Sequence, residues 1–427
     1  MHGDATVTRT DVAIIGGGMV GASLALALST TGVSTLLVEG VAPGTSSQPS
    51  FDDRTTALGN ASRRIFQGLG VWERMAAQAG TIRAIHVSDA GRFGFARLHA
   101  AEQGIEAFGY VISNRVIGAA LWEKLRDAPG VQLRVPAQPA DPRFQGDHVS
   151  FTLHRMPNTR NAPNAQGAQG AQEQVSARLL VAADGAHSVV RQAAEIDASV
   201  EDYGQVAVVT NVASDRPHDG TAYERFTQSG PLAVLPLHDG SYGVIWTCTP
   251  ERAGEVLSFD DATFLRELQG RFGWRAGQFV RAGRRASYPL KLTRAATTVG
   301  ERTVLIGNAA QALHPVAGQG FNLGLRDAAM LAEVLAHAHR SNADADAGAP
   351  ELLRRFADWR QADRRGVVRF TDGLVKLFGD SRPAVGWLRN LGLLLFDLTP
   401  PAKSALARVS AGFAGPTPRL ARGLSLG

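Results

Sequence analysis

The stretch DVAIIGGGMVGASLALALSTTGVSTLLVE, Asp11 to Glu39, reads as strand, glycine turn, helix and strand. Val12 to Ile15 form a short β-branched run suited to a buried parallel strand. Gly16, Gly18 and Gly21 then fit G-x-G-x-x-G. The first glycine permits a tight turn, the second lets a pyrophosphate approach the backbone, and the third lets the helix pack against the sheet. The following helix aims its free N–H groups at that pyrophosphate. Val33 to Val38 make the second strand, and Glu39 ends it where a carboxylate accepts hydrogen bonds from a ribose hydroxyl pair. Three glycines alone are weak evidence. Framed by two strands and closed by an acid, they indicate a bound dinucleotide, NAD or FAD.

Outward from this stretch the chain has 427 residues, 44 % of them hydrophobic and 7 % aromatic, which suits a globular enzyme with one or two cores. The net charge is +5, and all but four of the 44 basic residues are arginine. They are scattered, so neither a basic patch nor a nucleic-acid-binding module is seen. A mild attraction to anionic lipid is compatible with this charge. Cys248 is the single cysteine, which excludes an internal disulfide and a Cys-rich metal site. It reads as a small core residue, and no metal ligands are assigned. The N-terminal apolar run lacks a basic lead and is broken by glycines, unlike a signal peptide. No uninterrupted run of about 18 apolar residues spans a membrane. A cytoplasmic location is expected, with room for a peripheral place at the inner membrane.

Residues 1–10 are polar and read as a frayed end. A helix is expected near Asn60 to Leu69 and another over Asn114 to Arg126. Pro157 to Gln174 is low-complexity and reads as a mobile hairpin tip. From Gln205 to Leu292 the texture is β, with one helix at Asp260 to Phe272. Helices follow at Gly320 to Arg340, Glu351 to Phe378 and Pro383 to Leu398. In the last of these Leu388, Leu391, Leu395 and Leu398 recur at helical spacing, which fits core packing or a lid over an apolar ligand. The expected class is α/β. Residues 1–80, 116–200 and 296–340 build a Rossmann-type dinucleotide-binding domain. Residues 81–115 contribute substrate-domain strands and a return, 201–295 form a β-sheet substrate domain, and 341–427 form C-terminal helices.

Two further segments carry chemistry. LLVAADGAHSVVR, Leu179 to Arg191, runs a strand into Asp184-Gly185 and opens a helix at His187-Ser188. TVLIGNAAQALHPVAGQGFNLGLRD, Thr303 to Asp327, ends a strand at Gly307-Asn308 and opens a long helix after Gly318 and Gly320. With FDDRTTAL, AYERFT, GPLAVLPL, SYPLKLT and TDGLVKLF, these segments resemble the class A FAD-dependent aromatic hydroxylases. Within that group the chain resembles the ubiquinone-biosynthesis branch, most of all the hydroxylases of 2-polyprenyl-6-methoxyphenol. The likeness covers nearly the whole chain.

The resemblance implies FAD as cofactor, with Gly16, Gly18, Gly21 and Glu39 on its ADP half. Asp184 and Gly185 then lie by the pyrophosphate and the passing nicotinamide. Asn308, Pro315, Gly318, Gln319, Gly320, Phe321 and Asn322 lie along the ribityl chain and flavin ring, and Arg54 and Asn114 supply further contacts. Asn308 stands where the wider group has Asp, as in the ubiquinone branch. With no second Rossmann unit, NAD(P)H is expected to bind transiently as co-substrate. Reduced FAD is expected to capture O2 as a C4a-hydroperoxide that hydroxylates a polyprenylated phenol. A ubiquinone-biosynthesis protein complex and a membrane surface are compatible partners. No acid or base is assigned. Arg225 and Tyr288 are candidates to face the substrate, His314 reads as bracing its loop, and His187 as packing near a helix start. A sister hydroxylase acting at another ring carbon, a hydroxylase of a small soluble aromatic and a low-turnover flavin-bearing assembly subunit are the alternatives.

Overall fold

The computed structural model describes residues 7–44, 54–156, 172–313, 318–379, 397, 399 and 417–427. Of the expected hairpin tip over Pro157 to Gln174, residues 157–171 lie outside them, while Gln172 to Gln174 belong to a strand; His314, Pro315 and the four leucines of the expected helix over 383–398 also lie outside.

The chain begins with β1 (Val7–Ile15), α1 (Met19–Leu28) and β2 (Thr35–Val38). Next come β3 (Thr55–Gly59), α2 (Asn60–Gly68), β4 (Gly80–Ile82), β5 (Ala84–Asp89), β6 (Phe95–His99), β7 (Gly109–Ser113), α3 (Asn114–Leu125) and β8 (Val131–Arg134). A long hairpin of β9 (Ala137–Phe144), β10 (Val149–Arg155) and β11 (Gln172–Ala182) leads to α4 (Val189–Ala193). The β-rich part holds β12 (Ala198–Ser214), β13 (Thr221–Thr227), β14 (Gly230–Pro236), β15 (Tyr242–Cys248), α5 (Pro250–Ser258), α6 (Asp261–Phe272), β16 (Phe279–Ala282) and β17 (Ala286–Ala295). The chain then returns through β18 (Val299–Gly300), β19 (Thr303–Leu305) and β20 (Gln311–Ala312) to α7 (Gln319–Ser341) and α8 (Pro350–Gly379).

One sheet runs β18-β19-β11-β1-β2-β8, with β19, β11, β1, β2 and β8 parallel, and β10 and β9 extending from β11. Its centre is fully apolar: Val12, Ala13 and Ile14 are wholly buried, covered by α1, α3 and α7 on one face. A second sheet of nine strands runs β20-β17-β12-β15-β14-β13-β5-β6, with β16 pairing β12 beside that path. It is antiparallel except where β13 lies parallel to β5, so residues 84–99 belong to this sheet although they precede the β-rich stretch. The small sheet β3-β7-β4 sits between the two.

Two expectations are corrected. Residues 7–10 are not frayed: Val7 to Thr10 pair in register with Gln174 to Ala177, and the Thr8 hydroxyl donates to Glu173 at 2.7 Å. The long β11 supplies partners that β1 alone does not reveal. The β-rich part holds α5 besides α6. The Thr249 hydroxyl caps α5 by accepting from the Arg252 amide, with Pro250 in the first turn, a start signal legible in T-P-E-R. Cys248 is wholly buried beneath these helices with a free thiol.

Candidate functional site

Three segments far apart in sequence meet at the C-terminal edge of the parallel sheet. Gly16 has φ +105°, and a Cβ there would collide with the Ala183 carbonyl, so the first glycine turn lies directly against the Asp184 segment. A Cβ on Gly21 would strike the Gly16 carbonyl, which fixes how closely α1 approaches the turn. A Cβ on Gly324 of α7 would come within 2.9 Å of Gly307 Cα, and Val20 of α1 packs against both glycines. Arg191, buried on α4, donates to the Ala186 and Ala309 carbonyls, each at 2.9 Å, and so links the second segment to the third.

Glu39 closes the first turn. Its carboxylate accepts from the Gly17 amide at 2.7 Å and from the Val41 amide at 2.8 Å. Burial raises its pKa, and the amides of Val41, Gly17 and Gly40 oppose that rise. Trp122 of α3 donates its indole N–H to the Gly17 carbonyl at 3.0 Å and stiffens the turn from below. Gly18 is the N-cap of α1, with no side-chain hydrogen bond and no acidic residue in the first turn.

Asp184 does two things. One oxygen accepts from the Val189 and Val190 amides, at 2.8 and 3.3 Å, capping α4 beside the N-cap Ser188. The other, Oδ1, is buried without a hydrogen-bond partner. Burial raises the pKa of the carboxyl, and the Ser188 hydroxyl and the helix amides work against that rise. Gly185 has φ +88° with open space beside it, and His187 is exposed.

In the third segment Gly307 takes φ +57° and starts a one-turn 3-10 helix on which Asn308 is exposed. The Gly307 amide donates to Asp327 at 3.3 Å, and Asp327 pairs with Arg360 of α8 at 2.6 Å in a wholly buried ion pair. Arg364, one turn later, donates to Gln311 at 2.8 Å, and burial lowers its pKa. The helix α8 thus braces this turn from behind. Gly318, at φ +60°, is the N-cap of α7, and its Cβ position lies 3.1 Å from Ala57. Gln319 is buried and Gly320 half-buried in the first turn. The Asn322 amide is saturated by protein. It accepts from the Gly59 amide and the Ser62 hydroxyl and donates to the Ala57 and Gly318 carbonyls. Phe321 stacks on Phe66, ring centroids 6.1 Å apart. These last two side chains hold the loop in place by contacts within the protein.

Opposite stands the nine-stranded sheet. One face is sealed beneath α5 and α6 by Val208, Leu232, Val234, Val244 and Trp246. The other face is turned to the first domain. A Cβ on Gly243 would lie 3.1 Å from Thr55 Oγ1, and the Arg54 guanidinium sits 4.5 Å above the Tyr288 ring. Asn114 ties to the same place, its side-chain oxygen accepting from the Thr56 hydroxyl at 2.7 Å while its backbone N–H donates to the Arg54 carbonyl at 2.8 Å. Tyr288 therefore does face the first domain. Arg225 does not: its Nε donates to the Arg271 carbonyl at 2.9 Å on the helix side, and it lines a cleft of about 550 Å³ there with Arg275 and Asp89. In a strand the next residue points to the opposite face. Glu224 accordingly stands on the inner face, where only acid–base reasoning from the sequence had no hold.

Residues 9–371 match the model of a family described as the FAD binding domain. The ubiquinone hydroxylase UbiL of Rhodospirillum rubrum is 36 % identical over 420 residues, covering 97 % of this chain and 93 % of that protein. The chain belongs to this family of FAD-dependent hydroxylases. The 3-demethoxyubiquinol 3-hydroxylase of Escherichia coli is 33 % identical over 390 residues, covering 90 % and 94 %. In fold, the p-nitrophenol 4-monooxygenase PnpA of Pseudomonas putida superposes with a TM-score of 0.76 at 20 % identity, covering 96 % of this chain and 99 % of that one.

An FAD-dependent hydroxylase must hold a dinucleotide, and the donor set here suits one. The unsubstituted turn at Gly16 and the uncapped first turn of α1 offer amides to a pyrophosphate. Glu39 accepts two amides and keeps lone pairs for hydroxyl donors. The orphaned Asp184 Oδ1 asks for a donor from a ligand. Among the described residues no helix is long and apolar enough to cross a membrane, and no group of three or more His, Cys, Asp or Glu side chains could hold a metal.

Proposed function

We propose that this hydroxylase acts on the aromatic ring of a polyprenylated phenol in ubiquinone biosynthesis, with 2-polyprenyl-6-methoxyphenol as substrate. The observation that carries the reading is the extent of the likeness. The identity to UbiL runs over 420 residues, so it includes the nine-stranded sheet as well as the FAD-binding parts. The inner face of that sheet supports it, since Ile85, Val87, Val209, Leu235 and Ile245 are apolar and only half-buried there. Such a face suits the first units of a prenyl tail.

Bound FAD supplies the redox chemistry, taking electrons from NAD(P)H and delivering them to O2. The protein supplies place and charge. The α1 amides take the pyrophosphate, Glu39 the adenosine ribose, and Asp184 a hydroxyl or passing nicotinamide group through its open oxygen. Asn308 and the loop from Gly318 to Gly320, with Pro315, take the ribityl and ring end, where the first turn of α7 favours negative charge. Arg54 and Asn114 close the side toward Tyr288. Asn322 and Phe321 position that loop.

The E. coli relative, named for hydroxylation at ring position 3 of a demethoxyubiquinol, supports a second reading in which a different ring carbon is hydroxylated. Peripheral contact with a membrane surface or a biosynthetic complex fits an insoluble substrate.

The test is NAD(P)H oxidation and product analysis with a panel of prenylated and bare 2-methoxyphenols. Oxidation that depends on an added phenol, with a hydroxylated product whose position assigns the ring carbon, supports the reading. Each buried methylene contributes about 0.8 kcal/mol, so a five-carbon unit strengthens binding by up to roughly 3 kcal/mol. Equal affinity for prenylated and bare phenols points instead to a small soluble aromatic, and phenol-independent oxidation to a subunit without this activity.

A further inference from the structure

Glu224 sits in β13 between Tyr223 and Arg225, and those two neighbours point to the helix side: Tyr223 meets Phe272 edge-on and Arg225 binds the Arg271 carbonyl. The Glu224 side chain therefore stands on the inner face. Its neighbours across the sheet are Val87 of β5 and Ala233 of β14, and along its strand Ala222 and Phe226. The row continues to Ile245 of β15 and Val209 of β12. One carboxyl is thus set in a row of aliphatic side chains, on the wall that faces the FAD-binding domain.

Its distance from the flavin loop is set by packing. Ala222, two residues before it and so about 7 Å along the strand, belongs to an apolar cluster with Ile82, Val111 and Leu237, against which Ala57 and Leu235 pack. Ala57 in turn lies against Gly318, the N-cap of α7. Glu224 stands on this face one step along the strand from the cluster that joins the sheet to the loop.

Among the described residues no charge answers it. Glu224 makes no ion pair or hydrogen bond with the described residues, and burial alone pushes its pKa up to about 7. It lies deep in the protein yet is not sealed, since its side chain keeps partial solvent contact. Val87 and Ala233 are uncharged. On α8, which lies against β13 and β14, Arg360 is committed to Asp327 and Arg364 to Gln311. The side chains of Asp363, Arg369, Asp372 and Lys376 of α8 are outside the described residues. A deep carboxyl without a partner costs stability, and such groups concentrate at functional sites.

We propose that the Glu224 carboxylate accepts the hydrogen bond, and then the proton, of the substrate's phenol hydroxyl. This rests on the phenol reading above. The phenol O–H bond breaks, its proton passes to a Glu224 oxygen, and the electron pair stays on the phenol oxygen, enriching the ring carbons ortho and para to it. An electron-rich ring is what an electrophilic oxygen attacks. An apolar surround keeps the carboxyl's proton affinity near that needed for transfer at neutral pH.

The test compares wild-type holoenzyme with Glu224→Gln and Glu224→Asp, using 2-methoxy-6-prenylphenol and a ring-fluorinated analogue whose hydroxyl is more acidic. The proposal expects Glu224→Gln to keep its FAD and to melt no lower than wild type while kcat for hydroxylation falls about 100-fold. It expects the rise of kcat/KM through about pH 7 to vanish in Glu224→Gln and to survive in Glu224→Asp. It expects the defect to shrink several-fold with the fluorinated phenol at high pH, where the substrate ionises unaided. A purely structural role predicts no such dependence on phenol acidity. Glu224→Gln within twofold of wild type, or an unchanged pH limb, overturns the proposal. Wild-type enzyme that hydroxylates no prenylated phenol overturns the substrate reading as well, which separates the two failures.

Discussion

The two walls of the site are built from opposite materials. The nucleotide wall is backbone: turns at Gly16, Gly307 and Gly318 hold positive φ, α1 and α7 start without side-chain caps, and the carboxylates of Glu39 and Asp184 are pinned by amides. The sheet wall is side chain: a largely apolar face carrying Glu224, a carboxyl without a partner among the described residues. A dinucleotide presents phosphates and hydroxyls, which amides and pinned carboxylates recognise at fixed positions. A prenylated phenol presents one hydroxyl on a large apolar body, which calls for area and one well-placed acceptor. The first wall should therefore fail by losing cofactor, and the second by losing chemistry while cofactor stays.

The sharpest break is expected at Gly16. Gly16→Val puts a side chain into the Ala183 carbonyl at φ +105°, so the protein should purify without flavin or not fold; flavin absorbance of the purified protein checks this. Next comes the brace behind Gly307. Arg360→Met leaves Asp327 buried and unpaired, which should cost about 3–5 kcal/mol in denaturant unfolding.

On the sheet wall the sign reverses. The Glu224 carboxyl has its pKa raised to about 7 from an ordinary 4.5, so the folded state holds its proton more tightly than the unfolded chain. Stability is then lost as pH rises from about 4.5 through 7 and is level above that. Glu224→Gln removes this loss and should match wild type near pH 4.5 and exceed it by about 1–3 kcal/mol at pH 8, measured by urea unfolding at both values. The smallest stability effect belongs to Asp184→Ala. It removes one of the two side-chain caps on α4, at about 1 kcal/mol, while slowing flavin reduction by NAD(P)H in anaerobic stopped flow by a larger factor. Normal reduction with a lowered melting temperature would make Asp184 a cap only.

The contrast also explains what the sequence discloses. Glycine spacing is legible because backbone conformation and close approach restrict residue type, and the three glycine segments do meet at one edge of the sheet. Strand parity is not legible in AYERFT. Both faces of β13 are covered, so polarity does not alternate, and Arg225 attracts attention while Glu224 faces inward. The pairing of Val7 to Thr10 depends on partners 167 residues away and is invisible in the sequence for that reason. The buried Asp327–Arg360 pair likewise joins two helices whose separate patterns give no hint of it.

The division of labour between the walls is tested most directly by one ratio, hydroxylated product formed per NAD(P)H oxidised, in Asp184→Ala and Glu224→Gln with 2-methoxy-6-prenylphenol. The account predicts that Asp184→Ala turns over slowly with a ratio close to that of wild type. Glu224→Gln should oxidise NAD(P)H readily with a ratio several-fold lower, the remaining electrons leaving as hydrogen peroxide. Equal ratios in the two variants would contradict it.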